Sequence, residues 1–255
     1  MRQPTEVDPV RRSDFLESLS SFSKLHRAQR WEGTFGEFLE NILPQNPAAL
    51  ARTSHEYIWD MLRWHGRAAS PDASESVKAR ELFRRELFGI DEPLSRVVDY
   101  FKAAAAGSDV GRRLLLLLGP PSGGKSTLAI LLKRGLEEYS RTDEGALYAI
   151  KGSPLHENPL NLIPSSLRAE FRDTYGIEIT GELSPWARDF VEREFDGDFL
   201  RVPVERIFLS EASRVGIGTY APHDPTTADI ADLVGSVDLA KVAQIGDEGD
   251  PRRLV

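Results

Sequence analysis

Residues Arg112 to Thr127 read RRLLLLLGPPSGGKST. Five consecutive leucines, Leu114 to Leu118, run straight into a loop of glycine, proline, serine and lysine. Gly119-Pro120-Pro121-Ser122-Gly123-Gly124-Lys125-Ser126, with Thr127 next, fits the phosphate-loop pattern G-x-x-x-x-G-K-[ST] at every fixed position. Glycines let backbone N–H groups turn inward where a Cβ would crowd a phosphate. Lys125 supplies a cation for the β- and γ-phosphates of ATP, and the Ser126 hydroxyl is placed to bind Mg²⁺. Leu128, Leu131, Leu132 and Leu136 then recur at helical spacing, so a helix follows and adds its positive N-terminal end to the site. The leucines read as the buried central strand that aims the loop, apolar on both faces.

The rest of the composition sets limits. The chain has 255 residues, enough for one large domain or two modest ones. A formal charge of −8 and the absence of basic runs disfavour nucleic acid and anionic membranes as partners. There is no cysteine, which excludes disulfides, thiolate metal sites and a cysteine nucleophile. The N-terminus, MRQPTEVDPVRRSDF, is too polar for a signal peptide. The leucine run falls far short of the roughly 20 residues needed to cross a bilayer. A cytoplasmic location is expected.

Working outward from the loop, the first 90 or so residues read as a helical region. Phe15, Leu16, Leu19 and Phe22 recur at helical spacing, as do Tyr57, Ile58, Met61 and Leu62. Thr34-Phe-Gly-Glu37 has the form of a capping box before Phe38, Leu39 and Ile42, and Pro44 should stop that helix. Gly66 to Ser76 reads as a loop, and a helix is expected from about Val77 to Phe88. Residues 91–255 then read as the nucleotide-binding domain. A helix starting at Asp91 buries Leu94, Val97, Val98 and Phe101. Strand and helix signals alternate after the loop: LYAI (147–150), SSLRAEFRDTY (165–175), SPWARDFVEREF (184–195) and FLRVPVERIFL (199–209). That alternation predicts an α/β fold with a largely parallel sheet flanked by helices. The tail, GDEGDPRRLV, is polar.

Other stretches imitate catalytic signatures. Tyr148-Ala-Ile-Lys151 resembles the lysine strand of eukaryotic-type kinases, and Gly216-Ile-Gly-Thr-Tyr-Ala221 a glycine-rich loop. Their order is the reverse of the kinase order, and neither H-R-D nor D-F-G follows. Ile207-Phe-Leu-Ser-Glu211 offers Glu211 as the carboxylate at the end of a second apolar strand, where a phosphate-loop ATPase holds Mg²⁺ and positions water. A serine stands where aspartate is expected, and the alternative is a surface glutamate at a strand end. The five histidines show no metal spacing. His156-Glu157 lies in a Pro/Asn-rich loop that could face the nucleotide.

Several segments together resemble the PrkA-type serine protein kinases: FGIDEPLSRVVDYFKAAAAG (88–107), GPPSGGKST, SPLHENPLNLIP (153–164) and RIFLSEASRVGIGTYAPHDPTTADIADLVGSVDLAKV (206–242). The resemblance implies an AAA+-type phosphate-loop ATPase domain that uses ATP and Mg²⁺. By matched position Gly119, Gly124, Lys125, Ser126 and Thr127 form the nucleotide site. It also implies phosphoryl transfer to protein serine or threonine in the complete protein, although some members are described as AAA+ proteins with protease character. Members continue past an LVGSVDL-like segment to a Walker B-like strand. The AAA+ core is therefore expected to be incomplete here, truncated before Walker B, with ATP binding surviving better than turnover. Three functions compete on these grounds: the ATP-binding module of a serine/threonine protein kinase, an AAA+ ATPase that remodels or degrades protein partners as a homo-oligomer, and a non-hydrolysing nucleotide sensor whose helical N-terminal region binds a protein partner.

Overall fold

The computed structural model describes residues 14, 16–21, 29–84 and 86–221. Phe15, Phe22, the segment from 222 that carries half of the last family-like stretch, and the polar tail lie outside the described residues. In chain order the principal elements are β1 (Glu32–Thr34), α1 (Ser54–His65), α2 (Asp91–Ala105), α3 (Lys125–Ser140), β2 (Leu147–Ile150), α4 (Arg168–Tyr175), α5 (Pro185–Phe195) and β3 (Pro203–Ile207). Two short helices, Glu75–Ala79 and Glu81–Arg84, occupy most of the single helix expected over 77–88.

Local chemistry accounts for the helix boundaries. Thr34 and Glu37 form the predicted capping box, the Thr34 N–H donating to Glu37 Oε2 at 2.7 Å. Thr53 and Glu56 form a second one at the start of α1. The Ser184 hydroxyl accepts the Ala187 N–H, and Pro185 occupies the first turn of α5, where its missing N–H costs nothing. In α2 the predicted stripe of Leu94, Val97, Val98 and Phe101 is buried.

The sheet departs from expectation. Its three strands run antiparallel in the order β1-β3-β2. Glu32 stands opposite Glu205 on one side of β3, and Ile150 stands opposite Val204 on the other. The reason lies in the connection. A parallel pair needs a crossover that returns the chain to the end where the first strand began. Here two helices, α4 and α5, lie between β2 and β3, and the chain re-enters beside Ile150, where β2 finished. The partner on the far side, β1, comes from the region read as wholly helical.

The leucine run is the second departure. It forms no strand, and its sides are unequal. Leu115 and Leu117 pack on the core, whereas Leu114, Leu116 and Leu118 are 89%, 66% and 83% exposed. The alternation is that of extended backbone. A strand buried on both faces needs a layer against each, and the described residues supply one.

Two apolar cores organise the molecule. One joins Tyr57, Met61, Leu62, Phe83, Leu94, Val98, Leu128, Leu131 and Tyr139 with Leu209 and Ile217. The other joins Phe35, Phe38 and Leu43 to Ile150, Leu162, Phe171, Val191, Val202 and Val204 around the sheet. Neither divides the chain at residue 90. Helix α1 packs against α3, where a Cβ on Gly135 would sit 2.9 Å from Met61 Sδ.

Candidate functional site: the phosphate loop

The loop from Gly119 to Gly124 turns on one internal hydrogen bond, Gly123 N–H to the Pro120 carbonyl at 3.2 Å. Two residues adopt left-handed backbone, Ser122 at φ 62 and Gly124 at φ 79. Gly124 is the residue before α3, and its carbonyl accepts the Leu128 N–H at 2.8 Å, the first bond of the helix. Among the described residues no acceptor takes the N–H groups of Gly124, Lys125, Ser126 or Thr127. A sixteen-residue helix therefore presents its unpaired N–H groups and its positive dipole end at one point. That is the geometry that receives an anion.

Lys125 Nζ lies in the mouth of the turn, donating to the Gly119 carbonyl at 2.8 Å and the Pro120 carbonyl at 2.6 Å. An ammonium held by two neutral carbonyls keeps its charge for an arriving phosphate. Ser126 and the outer loop residues Pro120, Pro121 and Ser122 are exposed. The residues present thus fit a triphosphate: backbone donors without acceptors among the described residues, and a cation in the mouth of the turn. Ser126 would meet Mg²⁺ there. Among the described residues no group of three or more His, Asp or Glu is arranged to hold a metal ion.

One neighbour of the loop has only a faint signal in the sequence. The segment before α2 packs on the Gly124 backbone, and a Cβ placed on Gly124 would fall 2.9 Å from Leu87 Cδ2 and 3.5 Å from Ile90 Cδ1. Between them Gly89 takes φ 72 and Phe88 is 78% exposed. Phe88 follows Leu87 in the chain and presents its phenyl to solvent. The sequence sign was the small break Phe-Gly-Ile between two apolar helices.

The remaining candidates go elsewhere. Glu211 is not at the loop: its carboxylate pairs with Lys133, eight residues along α3 from Lys125, about 12 Å at 1.5 Å per residue. Glu157 is committed to α5, accepting the Ser184 N–H at 2.7 Å, the Ser184 hydroxyl at 2.8 Å and the Ser153 hydroxyl at 3.1 Å. Lys151 of the kinase-like quartet pairs with Glu32. The Gly216 segment forms a bridged turn with Ser210 in place of a loop-to-helix fingerprint. A cleft of about 1190 Å³ runs beside α1 over Arg52, Trp59, Arg63 and Lys102 and excludes the phosphate loop. Arg52, Arg63 and Lys102 there pair with Asp60 and Glu75, and Arg67 with Glu144. No described helix is long and apolar enough to cross a membrane.

Comparison with known proteins adds independent evidence. A family model described as the PrkA AAA domain matches residues 33–254. The chain is 47% identical over 240 residues to a Bacillus subtilis protein named ATP-dependent protease PrkA, covering 94% of this chain and 37% of that one. It is 31% identical over 186 residues to an Escherichia coli K12 protein named serine/threonine kinase YeaG, covering 70% of this chain and 28% of that one. A Lon protease of Fervidobacterium nodosum aligns over 111 residues at 27% identity, covering 43% of this chain. The chain therefore spans well under half the length of these relatives. No solved structure matches it.

Proposed function

Because the chain belongs to the PrkA AAA-domain family, we propose that it is the ATP-binding module of a longer protein that acts on protein substrates. The observation that carries this reading is the phosphate loop itself: unpaired N–H groups at the start of α3, closed by a left-handed Gly124, with Lys125 in the turn. Lys125 and the helix N-terminus hold the triphosphate, Ser126 meets Mg²⁺, and Phe88 lies under the base.

ATP binding driving the remodelling or degradation of a protein is the reading we favour. It is supported by the 47% identity to a protein named an ATP-dependent protease and by the alignment with a Lon protease. Phosphoryl transfer to protein serine or threonine is the second reading, supported by the similarity to YeaG. Titration calorimetry of the chain with ATP and Mg²⁺ tests the shared claim. Lys125→Ala should weaken binding roughly 10- to 150-fold, the 1.5–3 kcal/mol of a charged hydrogen bond. Unchanged affinity refutes it. Incubating the longer protein with γ-labelled ATP and a loosely folded protein separates the rest: peptide fragments support the first reading, and label on serine or threonine supports the second.

A further inference from the structure

Helix α3 is held on two faces by different kinds of contact. Leu128, Leu131 and Tyr139 bury one face in the core. On another, Lys133, Glu137 and Ser140 stand at i, i+4 and i+7, one above the other. Each of the three grips a residue from 209–219. The Lys133 ammonium pairs with the Glu211 carboxylate and lies 3.3 Å from Thr219 Oγ1, which itself donates to Glu211 Oε1 at 2.6 Å. The Glu137 carboxylate accepts the Glu211 N–H at 2.8 Å. The buried Ser140 hydroxyl accepts the Leu209 N–H at 3.1 Å.

The gripping segment is itself well defined. Ser210 and Val215 exchange two backbone hydrogen bonds of 3.0 and 2.9 Å, and Ser210 Oγ accepts the Ser213 N–H at 3.2 Å. Leu209 and Ile217 anchor it in the same core as α3. At Gly216, φ is 65 and a Cβ would fall 2.3 Å from Leu209 Cδ2, so the turn has room for glycine alone.

Apolar burial is non-directional. Charge-assisted hydrogen bonds fix register. We propose that residues 209–219 form a strap that sets the position of the phosphate helix, and that Glu211, acting through Lys133, is a positioning residue for ATP binding. This rests on the ATP reading above. The end of α3 carries the unpaired N–H groups, and a displacement near 1 Å is enough to spoil a bound geometry. The Lys133–Glu211 pair leaves its side chains 22% and 39% exposed, so as a structural element alone it contributes little to stability. Positioning and mere structure therefore predict different results.

The test measures ATP affinity by calorimetry and the melting temperature on the same chain. It compares wild type, Lys133→Met, Glu211→Gln, the charge exchange Lys133→Glu with Glu211→Lys, and Lys125→Ala as a loop control. Each single change should weaken ATP binding about tenfold, within the usual range of coupling between sites, while moving the melting temperature little. The exchange should recover most of the loss. By reciprocity ATP should slow hydrogen exchange at the Leu209 and Glu211 amides in wild type. Wild-type affinity in both single variants, or an exchange variant no better than them, overturns the strap. A wild-type chain that binds ATP no better than Lys125→Ala overturns the ATP reading and the strap with it.

Discussion

Gly124→Ala probes the loop most directly, because two costs meet at one atom. Left-handed backbone costs an alanine about 1–2 kcal/mol, and Gly124 sits at φ 79. Its new Cβ would also lie 2.9 Å from Leu87 Cδ2, a side chain only 9% exposed, so Leu87 must leave its rotamer. That adds about 0.5–1.5 kcal/mol. The loss of unfolded-chain freedom returns about 0.4–1 kcal/mol. The net cost is about 2 kcal/mol, the sum of these three contributions. If the loop keeps its shape without ligand, the cost appears as a melting temperature lower by roughly 4–8 °C. If the loop relaxes away, the cost is deferred to binding and ATP affinity falls about 30-fold. Calorimetric melting and ATP titration on one preparation capture both, and the two losses should sum to the same total. Gly119→Ala is the control for melting alone, since nothing but the Lys125 side chain comes within 4 Å of its Cβ and its φ is not positive. Unchanged melting and unchanged affinity in Gly124→Ala would refute the claim that a left-handed glycine closes this loop.

Other outcomes follow from neighbouring contacts. Phe88→Ala should weaken ATP several-fold, by about 1 kcal/mol of lost stacking, and leave inorganic triphosphate unaffected in a competition titration; equal losses for both would remove Phe88 from the base site. Arg52 bonds Asp60 and the Tyr139 hydroxyl at 2.9 Å each, and the Glu144 carbonyl at 2.9 Å, with its side chain 9% exposed. Arg52→Met should therefore cost about 3 kcal/mol in denaturant melts, the low end for breaking a buried pair, because Asp60 keeps some solvent. Gly135→Leu should cost at least 1–3 kcal/mol by driving α3 off α1, read as a lower melting temperature with the helical signal retained. Arg67 holds the Glu144 carboxyl below the usual range, and Lys133 and Thr219 do so for Glu211. Folded values below unfolded ones stabilise above the unfolded value and lose that contribution as pH falls through the folded value. Glu144→Gln should thus differ from wild type near neutrality and converge with it in acid, as pH-dependent melting would show.

The phosphate loop and its helix were legible because their rules are local. A left-handed turn needs glycine, a helix start needs its caps, and a stripe of Leu128 and Leu131 needs only 3.6-residue spacing. The boundaries of α2 and β2 were readable for the same reason, as was the end of α1 before Gly66; its start at the Thr53–Glu56 capping box was not picked out. Sheet direction was not. Whether β2 and β3 run parallel depends on which end of β2 the connecting chain returns to, and the register of Ile150 against Val204 is a long-range fact. β1 was missed because Glu32–Thr34 is three residues long, half polar, and a strand only because β3 has an open edge. Glu211 was expected as the carboxylate that holds Mg²⁺ and positions water, but its carboxylate pairs with the Lys133 ammonium, two turns along the helix from Lys125. Spacing along the chain could place the apolar triplet before it and not the direction in which it points.

The two ends of α3 are held very unequally, and this bears on how binding at one end reaches the rest of the molecule. At the C-terminal end bonds converge on the turn from 141 to 145. Gln29 donates to the Arg141 carbonyl at 2.9 Å, Arg206 to the Thr142 carbonyl at 2.7 Å, Tyr57 to the Gly145 carbonyl at 2.7 Å and Arg52 to the Glu144 carbonyl at 2.9 Å. These donors come from the chain before α1, from α1 itself and from β3, so the turn ties both apolar cores together. The middle is fixed by the strap. The N-terminal end has one backbone bond into the helix, four N–H groups with no acceptor among the described residues, and a lysine parked on two carbonyls. Such an end reorganises at little cost when a triphosphate replaces those carbonyls, while the far end cannot follow. Strain from ligand binding must then be taken up between them, where Lys133 meets Glu211. On the ATP reading proposed above, a nucleotide at Gly119–Thr127 should therefore be felt at the strap that leads on to residue 221 before it is felt at the sheet.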